Sequence, residues 1–165
     1  MNTERTKTIH GFTIKGINGN LIDFSDYSGK KILLVNVASE CGLTPQYLQL
    51  QELYNEFNEQ LIIVGCPANN FGGQEPGTDE KIEKFCSLNY SVSFPLTTKI
   101  SVKGDNMSEL YKFVTMKDLN GFEDSEVSWN FQKYLFNEQG ELTHIFSPQT
   151  EPADEQILNA AGISL

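Results

Sequence analysis

The sequence predicts an α/β fold in which a central mixed β-sheet is flanked by helices and preceded by an N-terminal β-hairpin. Two observations carry this expectation. Ile32-Leu33-Leu34-Val35-Asn36-Val37-Ala38 and Leu61-Ile62-Ile63-Val64 are short, nearly continuous apolar runs, the pattern of strands covered on both faces. Between them lies a stretch of helical periodicity that puts Tyr47, Leu50, Tyr54 and Phe57 on one face. Strand, helix and strand then form a right-handed crossover with the two strands parallel.

The elements follow in order. Residues 8–24 alternate around Asn18-Gly19, which predicts the antiparallel hairpin and puts His10 in its first strand. The first buried strand runs toward Cys41, after which Thr44 as N-cap and Pro45 as first helical residue open a helix over about 44–58. The second buried strand, 61–64, leads into the loop Cys66-Pro67-Ala68-Asn69-Asn70-Phe71-Gly72-Gly73-Gln74-Glu75-Pro76-Gly77. A helix capped by Thr78 carries Ile82, Phe85 and Cys86 at helical spacing, and Asn106 with Glu109 suggests a capping box for a helix over about 107–115. Strands near 131–136 and 142–146 join through Gly140, with His144 in the second, and a last helix starts from about 151. A parallel β-α-β unit, an antiparallel strand pair and a final helix describe a thioredoxin-like mixed sheet. No linker composition interrupts residues 1–165, which read as one domain.

Composition narrows the function. A chain of 165 residues can bury roughly 70% of its unfolded surface, so its core needs no disulfide staples. With 12 basic against 22 acidic residues the net charge is −10, which disfavours nucleic acid and anionic membrane surfaces as partners. The segment Met1-Asn2-Thr3-Glu4-Arg5-Thr6 is polar and the apolar runs are too short to cross a bilayer, so the expectation is a cytoplasmic protein. Three cysteines in a reducing compartment point to redox chemistry or inert burial. Together with two histidines they show no metal-ligand spacing, so no metal is expected.

Cys41 sits on the predicted strand-to-helix turn. Such a turn aims unpaired backbone N–H groups and the positive end of a helix dipole at the sulfur, and both favour the thiolate. Cys41-Gly42-Leu43-Thr44 has the spacing of a Cys-x-x-Cys dithiol with threonine in the second place, so it cannot cycle as a local dithiol. Unpaired cysteine is often merely a buried small hydrophobe; a turn residue ahead of a helix favours function instead. The amides of the 66–77 loop fall at the same sheet edge as Cys41 and can donate to a reacting oxygen, or can cap the loop itself. Trp129-Asn130 offers an indole N–H and a further amide, although a single Trp is more often core. Cys66, ending a buried strand, reads as core, and His10 and His144 read as structural.

A reactive thiolate with side-chain donors nearby is compatible with peroxide reduction, among other thiol chemistry. A thiolate attacking an O–O bond gives a sulfenic acid and expels a hydroxide or alkoxide. Lowering a thiol's pKa from about 8.5 to about 6 contributes only roughly 1.4 to 2 kcal/mol at neutral pH, and nucleophilicity falls with it. One preorganised donor aimed at the departing oxygen contributes about 3 to 4 kcal/mol. Side-chain donors near the sulfur, for which the amides of the 66–77 loop and Trp129-Asn130 are candidates, therefore matter more than thiol activation.

Taken together, three segments resemble the signatures of the glutathione peroxidase family in its cysteine-containing form. They are Asn36-Val37-Ala38-Ser39 before Cys41-Gly42-Leu43-Thr44, Pro67-x-Asn69-x-Phe71-Gly72-x-Gln74-Glu75-Pro76-Gly77, and Trp129-Asn130-Phe131 with Lys133-Tyr134-Leu135. The resemblance spans nearly the whole chain and departs from the usual pattern at Cys66 and Asn70, where phenylalanine and glutamine are common. It implies a thioredoxin fold and reduction of hydrogen peroxide or organic, including lipid, hydroperoxides in response to oxidative stress. The family's catalytic tetrad maps onto Cys41, Gln74, Trp129 and Asn130. It implies no prosthetic group, with thioredoxin or glutathione as the thiol co-substrate that clears the sulfenic acid.

In cysteine-type members a resolving cysteine lies in the helix after the Glu-Pro-Gly turn. Cys86 is the candidate here, one residue before the matching position at Ser87, a shift of about 100° around a helix. Beside Ile82 and Phe85 it also suits the apolar face, so resolution and burial both stand. The segment Lys117–Glu126 is short and acidic. It lacks the longer loop and basic residues of the tetrameric glutathione-using members, which implies a monomer served by a thioredoxin-like partner. A peroxide sensor that relays its oxidation, or a non-catalytic thioredoxin-fold interaction domain, are the alternatives.

Overall fold

The computed structural model describes residues 8–164. Strands β1 (Thr13–Lys15) and β2 (Leu21–Asp23) pair antiparallel as the N-terminal hairpin, turned through Gly19 at φ +91°. The main sheet comprises β3 (Lys31–Val37), β4 (Leu61–Pro67), β5 (Lys133–Phe136) and β6 (Leu142–Phe146) in the order β4-β3-β5-β6. β3 and β4 are parallel across helix α1 (Gln46–Phe57), whereas β3 with β5 and β5 with β6 are antiparallel. Helices α2 (Asp79–Tyr90), α3 (Glu109–Thr115), α4 (Lys117–Asn120) and α5 (Glu155–Ala160) complete the mixed, helix-flanked sheet that the sequence predicts.

Alternate strand residues feed two cores. Leu33, Val35, Val37, Ile63 and Leu135 pack with Tyr47 and Leu50 of α1, Ile82 of α2 and Ile157 of α5. Ile32, Leu34, Val64, Tyr134 and Phe136 face Leu110, Tyr111 and Phe113 of α3 together with Phe24 after the hairpin. Burying a side chain such as Leu50 contributes about 1.5–3 kcal/mol, so the helix is held by its inner face rather than by capping. The 95–98 segment covers the β4 edge, where Gly65 donates to the Pro95 carbonyl and accepts from Thr97. A Cβ at Gly65 would lie 2.7 Å from Leu96 Cδ2 and 3.2 Å from Phe94 Cε1, so a larger residue here would have to displace these packed side chains.

Several boundaries differ from the sequence expectation, each for a local reason. Thr44 does not cap α1: Pro45 precedes the helix with helical angles, and the chain enters through i to i−3 bonds from Gln46 to Leu43 and Tyr47 to Thr44. Ser108, rather than Asn106, caps α3, its hydroxyl accepting from the Tyr111 amide at 3.2 Å. The last helix starts at Glu155, where Asp154 accepts from the Gln156 amide. β4 continues through Pro67 because Ala68 still bonds back to Val37, and β5 begins only at Lys133. His10 lies in a 3₁₀ turn, Ile9–Gly11, not a strand, and its ring packs where a Cβ on Gly140 would stand. His144 is in β6 as expected, and exposed.

Candidate active site

The end of β3 delivers Cys41 to a turn built around Thr44. The Thr44 hydroxyl accepts from the Cys41 amide at 3.0 Å and donates to the Ala38 carbonyl at 2.7 Å. The residue read as a helix cap instead closes the cysteine turn. That closure aims a backbone donor at the sulfur: the Leu43 N–H donates to Cys41 Sγ at 3.3 Å. Cys41 is 8% exposed.

The loop after β4 is tied to this turn. The Gln74 carbonyl accepts from the Glu40 amide at 3.0 Å. The Glu75 carboxylate accepts from the Ser39 amide at 3.1 Å, and the Glu75 amide donates to Asn69 Oδ1 at 2.9 Å. Burial pushes the Glu75 carboxyl above its ordinary range, against the Ser39 bonds and the nearby Lys99, which pull it down. Lys99 Nζ donates to the Glu75 and Gly77 carbonyls, closing the loop from its other side. A groove of about 460 Å³, lined by Ser39, Glu40, Glu75, Ile82 and Phe85 among others, runs beside the turn.

The third segment meets the second. Asn130 Nδ2 donates to Gln74 Oε1 at 3.0 Å, which uses the amide oxygen of Gln74 and, among the described residues, leaves its Nε2 donor without a protein acceptor. Asn130 has no exposed surface, and its own Oδ1 is buried without a partner among the described residues. The half-buried Trp129 ring packs against Phe71, with centroids 5.6 Å apart. A Cβ at Gly72, which has φ +65°, would stand 3.3 Å from that indole. Gln74, Trp129 and Asn130 therefore converge, with Gln74 bonded through its backbone to the residue before Cys41. Their side-chain donors do not hydrogen-bond the sulfur directly; among the described residues its donor is the Leu43 amide.

Sequence reasoning missed the residue that holds Trp129 and Asn130 in place. Asn36 is an amide with no exposed surface inside an apolar strand. Its Nδ2 donates to the Trp129 carbonyl at 3.0 Å, its Oδ1 accepts from the Gln132 amide at 3.0 Å, and its carbonyl accepts from the Phe131 amide at 2.6 Å. Between those contacts Phe131 adopts φ +69°, a left-handed conformation that costs of order 1–3 kcal/mol in a non-glycine residue. The signal in the sequence was a lone amide in a β-core, where a buried polar group must find partners.

The other thiols are enclosed. Cys66 has no exposed surface and Cys86 is 1% exposed. Burial pushes the Cys66 thiol up to about 12 and the Cys86 thiol up to about 11, the latter with the Tyr47 hydroxyl beside it. All three cysteines are free. Among the described residues, no cluster of His, Cys, Asp or Glu side chains is arranged to hold a metal ion, and no helix is long and apolar enough to cross a membrane.

Comparison with known proteins bears on this arrangement. The family model described as glutathione peroxidase matches residues 9–115. The chain is 43% identical to the glutathione peroxidase homolog BsaA of Staphylococcus epidermidis over 92% of its length and 94% of that protein. It is 45% identical to the glutathione peroxidase-like peroxiredoxin gpx1 of Schizosaccharomyces pombe, over 84% of this chain and 87% of that one. Among solved structures it is similar to T. cruzi GPX1, with a TM-score of 0.71, 28% identity and coverage of 94% and 97% of the two chains. A thioredoxin family thiol:disulfide interchange protein of Chlorobium tepidum, 14% identical with a TM-score of 0.65 over 98% and 99% of the chains, shares the fold alone. On the family match and these identities, the chain belongs to the glutathione peroxidase family, built on a thioredoxin-like fold.

Proposed function

We propose that this protein is a thiol peroxidase that reduces hydrogen peroxide and organic hydroperoxides through Cys41. The thiolate attacks the distal oxygen of the peroxide; the O–O bond breaks, the sulfur becomes a sulfenic acid, and the other oxygen leaves as water or alcohol once protonated. Gln74, Trp129 and Asn130 receive that oxygen. The observation that carries the reading is the Asn130 to Gln74 bond, because it joins two distant segments and leaves an amide N–H free on a residue whose carbonyl accepts from Glu40, next to Cys41. A donor placed there in advance needs no reorganisation as charge develops on the leaving oxygen.

Two thiols then return the sulfenic acid to the thiol, releasing water and forming a disulfide between them. We assign this step to a thioredoxin-like reductant rather than to glutathione, on the short acidic segment before Trp129. No prosthetic group is required. The same reading makes the protein a single-domain, cytoplasmic monomer. Cys86 can act as resolving thiol only after α2 opens, since its sulfur is buried and its proton is strongly held. The test is peroxide consumption with thioredoxin and its reductase against glutathione and its reductase, together with dimedone labelling after one equivalent of peroxide. The label is expected on Cys41, with faster turnover on thioredoxin, and Cys41→Ser is expected to be inactive but folded. Full turnover by Cys41→Ser would overturn the reading.

A further inference from the structure

Lys133 opens β5 in register with Val35 of β3 and Phe146 of β6, and its side chain has no exposed surface. A buried ammonium ordinarily keeps a carboxylate partner, yet among the described residues no carboxylate forms a salt bridge with Lys133. Its Nζ instead donates to three neutral oxygens: Gln46 Oε1 at 2.7 Å, the Pro148 carbonyl at 3.0 Å and the Thr150 carbonyl. Gln46 Nε2 donates to the same Pro148 carbonyl at 2.9 Å, which closes the cluster. From Gln46 the path to the sulfur is short. Its backbone N–H donates to the Leu43 carbonyl at 2.9 Å, and the Leu43 N–H donates to Cys41 Sγ.

We propose that Lys133 is a positioning residue for Cys41: by clamping Gln46 to the Pro148–Thr150 segment it fixes the first turn of α1, and with it the Leu43 amide aimed at the sulfur. The inference rests on the reading of Cys41 as the peroxide-reactive thiol. Lys133 itself touches neither the sulfur nor the peroxide.

The clamp depends on protonation, because three acceptors need three N–H groups. An ammonium has three, and a neutral amine has two with a lone pair facing the third oxygen. Burial lowers the Lys133 ammonium to about 7, with Glu151 working against the shift. Its partners in register and hydrogen bonding are neutral among the described residues: Gln46 from α1, Val35 from β3 and Phe146 from β6. The remaining titratable group on this face of β6 is His144, which is exposed and stacks on Phe146. As pH rises through neutrality the cluster therefore loses one hydrogen bond, and the hold on the turn weakens.

The experiment measures the second-order rate of reduced Cys41 with hydrogen peroxide in wild type and Lys133→Met between about pH 6 and 8.5, with circular dichroism to confirm folding. We expect wild type to be about tenfold faster at the acid end, in line with the cost of a displaced reacting group, and the ratio to shrink severalfold by the alkaline end. A ratio within about twofold of one, or one that is the same at every pH, would overturn the proposal, since a merely structural lysine gives no such trend. Should Lys133→Met fail to fold, Gln46→Met cuts the same link from the other side and is judged on the same ratios. A Cys41→Ser control separates the outcomes, because peroxide consumption by that variant would refute the thiol reading itself rather than the role of Lys133.

Discussion

Asn130 and Gln74, 56 positions apart in sequence, are joined by a single hydrogen bond from Asn130 Nδ2 to Gln74 Oε1 at 3.0 Å. That bond settles which end of the Gln74 amide is free. A glutamine at the edge of a glycine-rich loop has several rotamers, and the buried asparagine selects the one with its nitrogen available. In the proposed reaction, preorganisation of this kind would distinguish a catalytic donor from a solvated amide.

Asn130→Ala is therefore expected to slow the reaction of Cys41 with peroxide by about 10²-fold, toward the lower end of the loss seen when an oxyanion donor is removed. Gln74→Ala should cost a similar factor, and the double mutant little more than either, because the two residues act as one unit. Rapid-quench measurement of sulfenic acid formation checks this; fully additive losses would mean that the residues work separately.

The fold was legible where periodicity is strong. The apolar runs at 32–38 and 61–64 and the Tyr47-Leu50 face of α1 leave few alternatives to a parallel crossover. What could not be read was the use of small polar side chains. Thr44 has the features of an N-cap and spends its hydroxyl on Cys41 and Ala38 instead; Asn106 lost its cap to Ser108, two residues on. Gln74, Trp129 and Asn130 could be brought together on paper only through the family resemblance. Asn36 shows why: its three bonds span from β3 to a segment some 90 positions later, and no local pattern encodes them.

Asn36→Ala should destabilise the protein, since it leaves the Trp129 carbonyl and the Gln132 amide without partners in the interior. At about 1–3 kcal/mol for each unsatisfied group the loss is expected to show as a clear fall in melting temperature. It should also slow peroxide reduction more than alkylation of Cys41 by iodoacetamide, because alkylation does not need the Trp129 and Asn130 donors. Equal slowing of both reactions would mean that the cysteine turn itself had moved.

Glu75 supplies a pH signature of stability. Its folded-state carboxyl titrates above the ordinary value, so between the unfolded and folded values the native state holds the proton more tightly. Stability is then highest at acid pH as far as this group is concerned, and it falls as pH rises through that window. Glu75→Gln keeps an acceptor for the Ser39 amide and removes the titration. Its melting temperature relative to wild type should rise between about pH 4 and pH 7, and a difference that does not change with pH would contradict the assigned cause.

Cys86 lies on the buried face of α2, one turn after Ile82. Its sulfur is enclosed by the core residues that pack α2 against α1, beside the Tyr47 hydroxyl, and burial holds its proton to about 11. A buried thiol that holds its proton this tightly does not attack a sulfenic acid, so resolution by Cys86 requires the helix to open locally. Cys86→Ser separates the two possible fates. If α2 opens during turnover, the variant keeps its first stoichiometric reaction with peroxide, accumulates sulfenic acid that dimedone traps, and loses thioredoxin-dependent turnover. If instead an external thiol attacks Cys41 directly, turnover is unchanged and the substitution is felt only in stability, through a hydroxyl placed where a thiol was packed. Opening should also be visible without mutation, as faster amide exchange over residues 79–90 in the oxidised protein than in the reduced one.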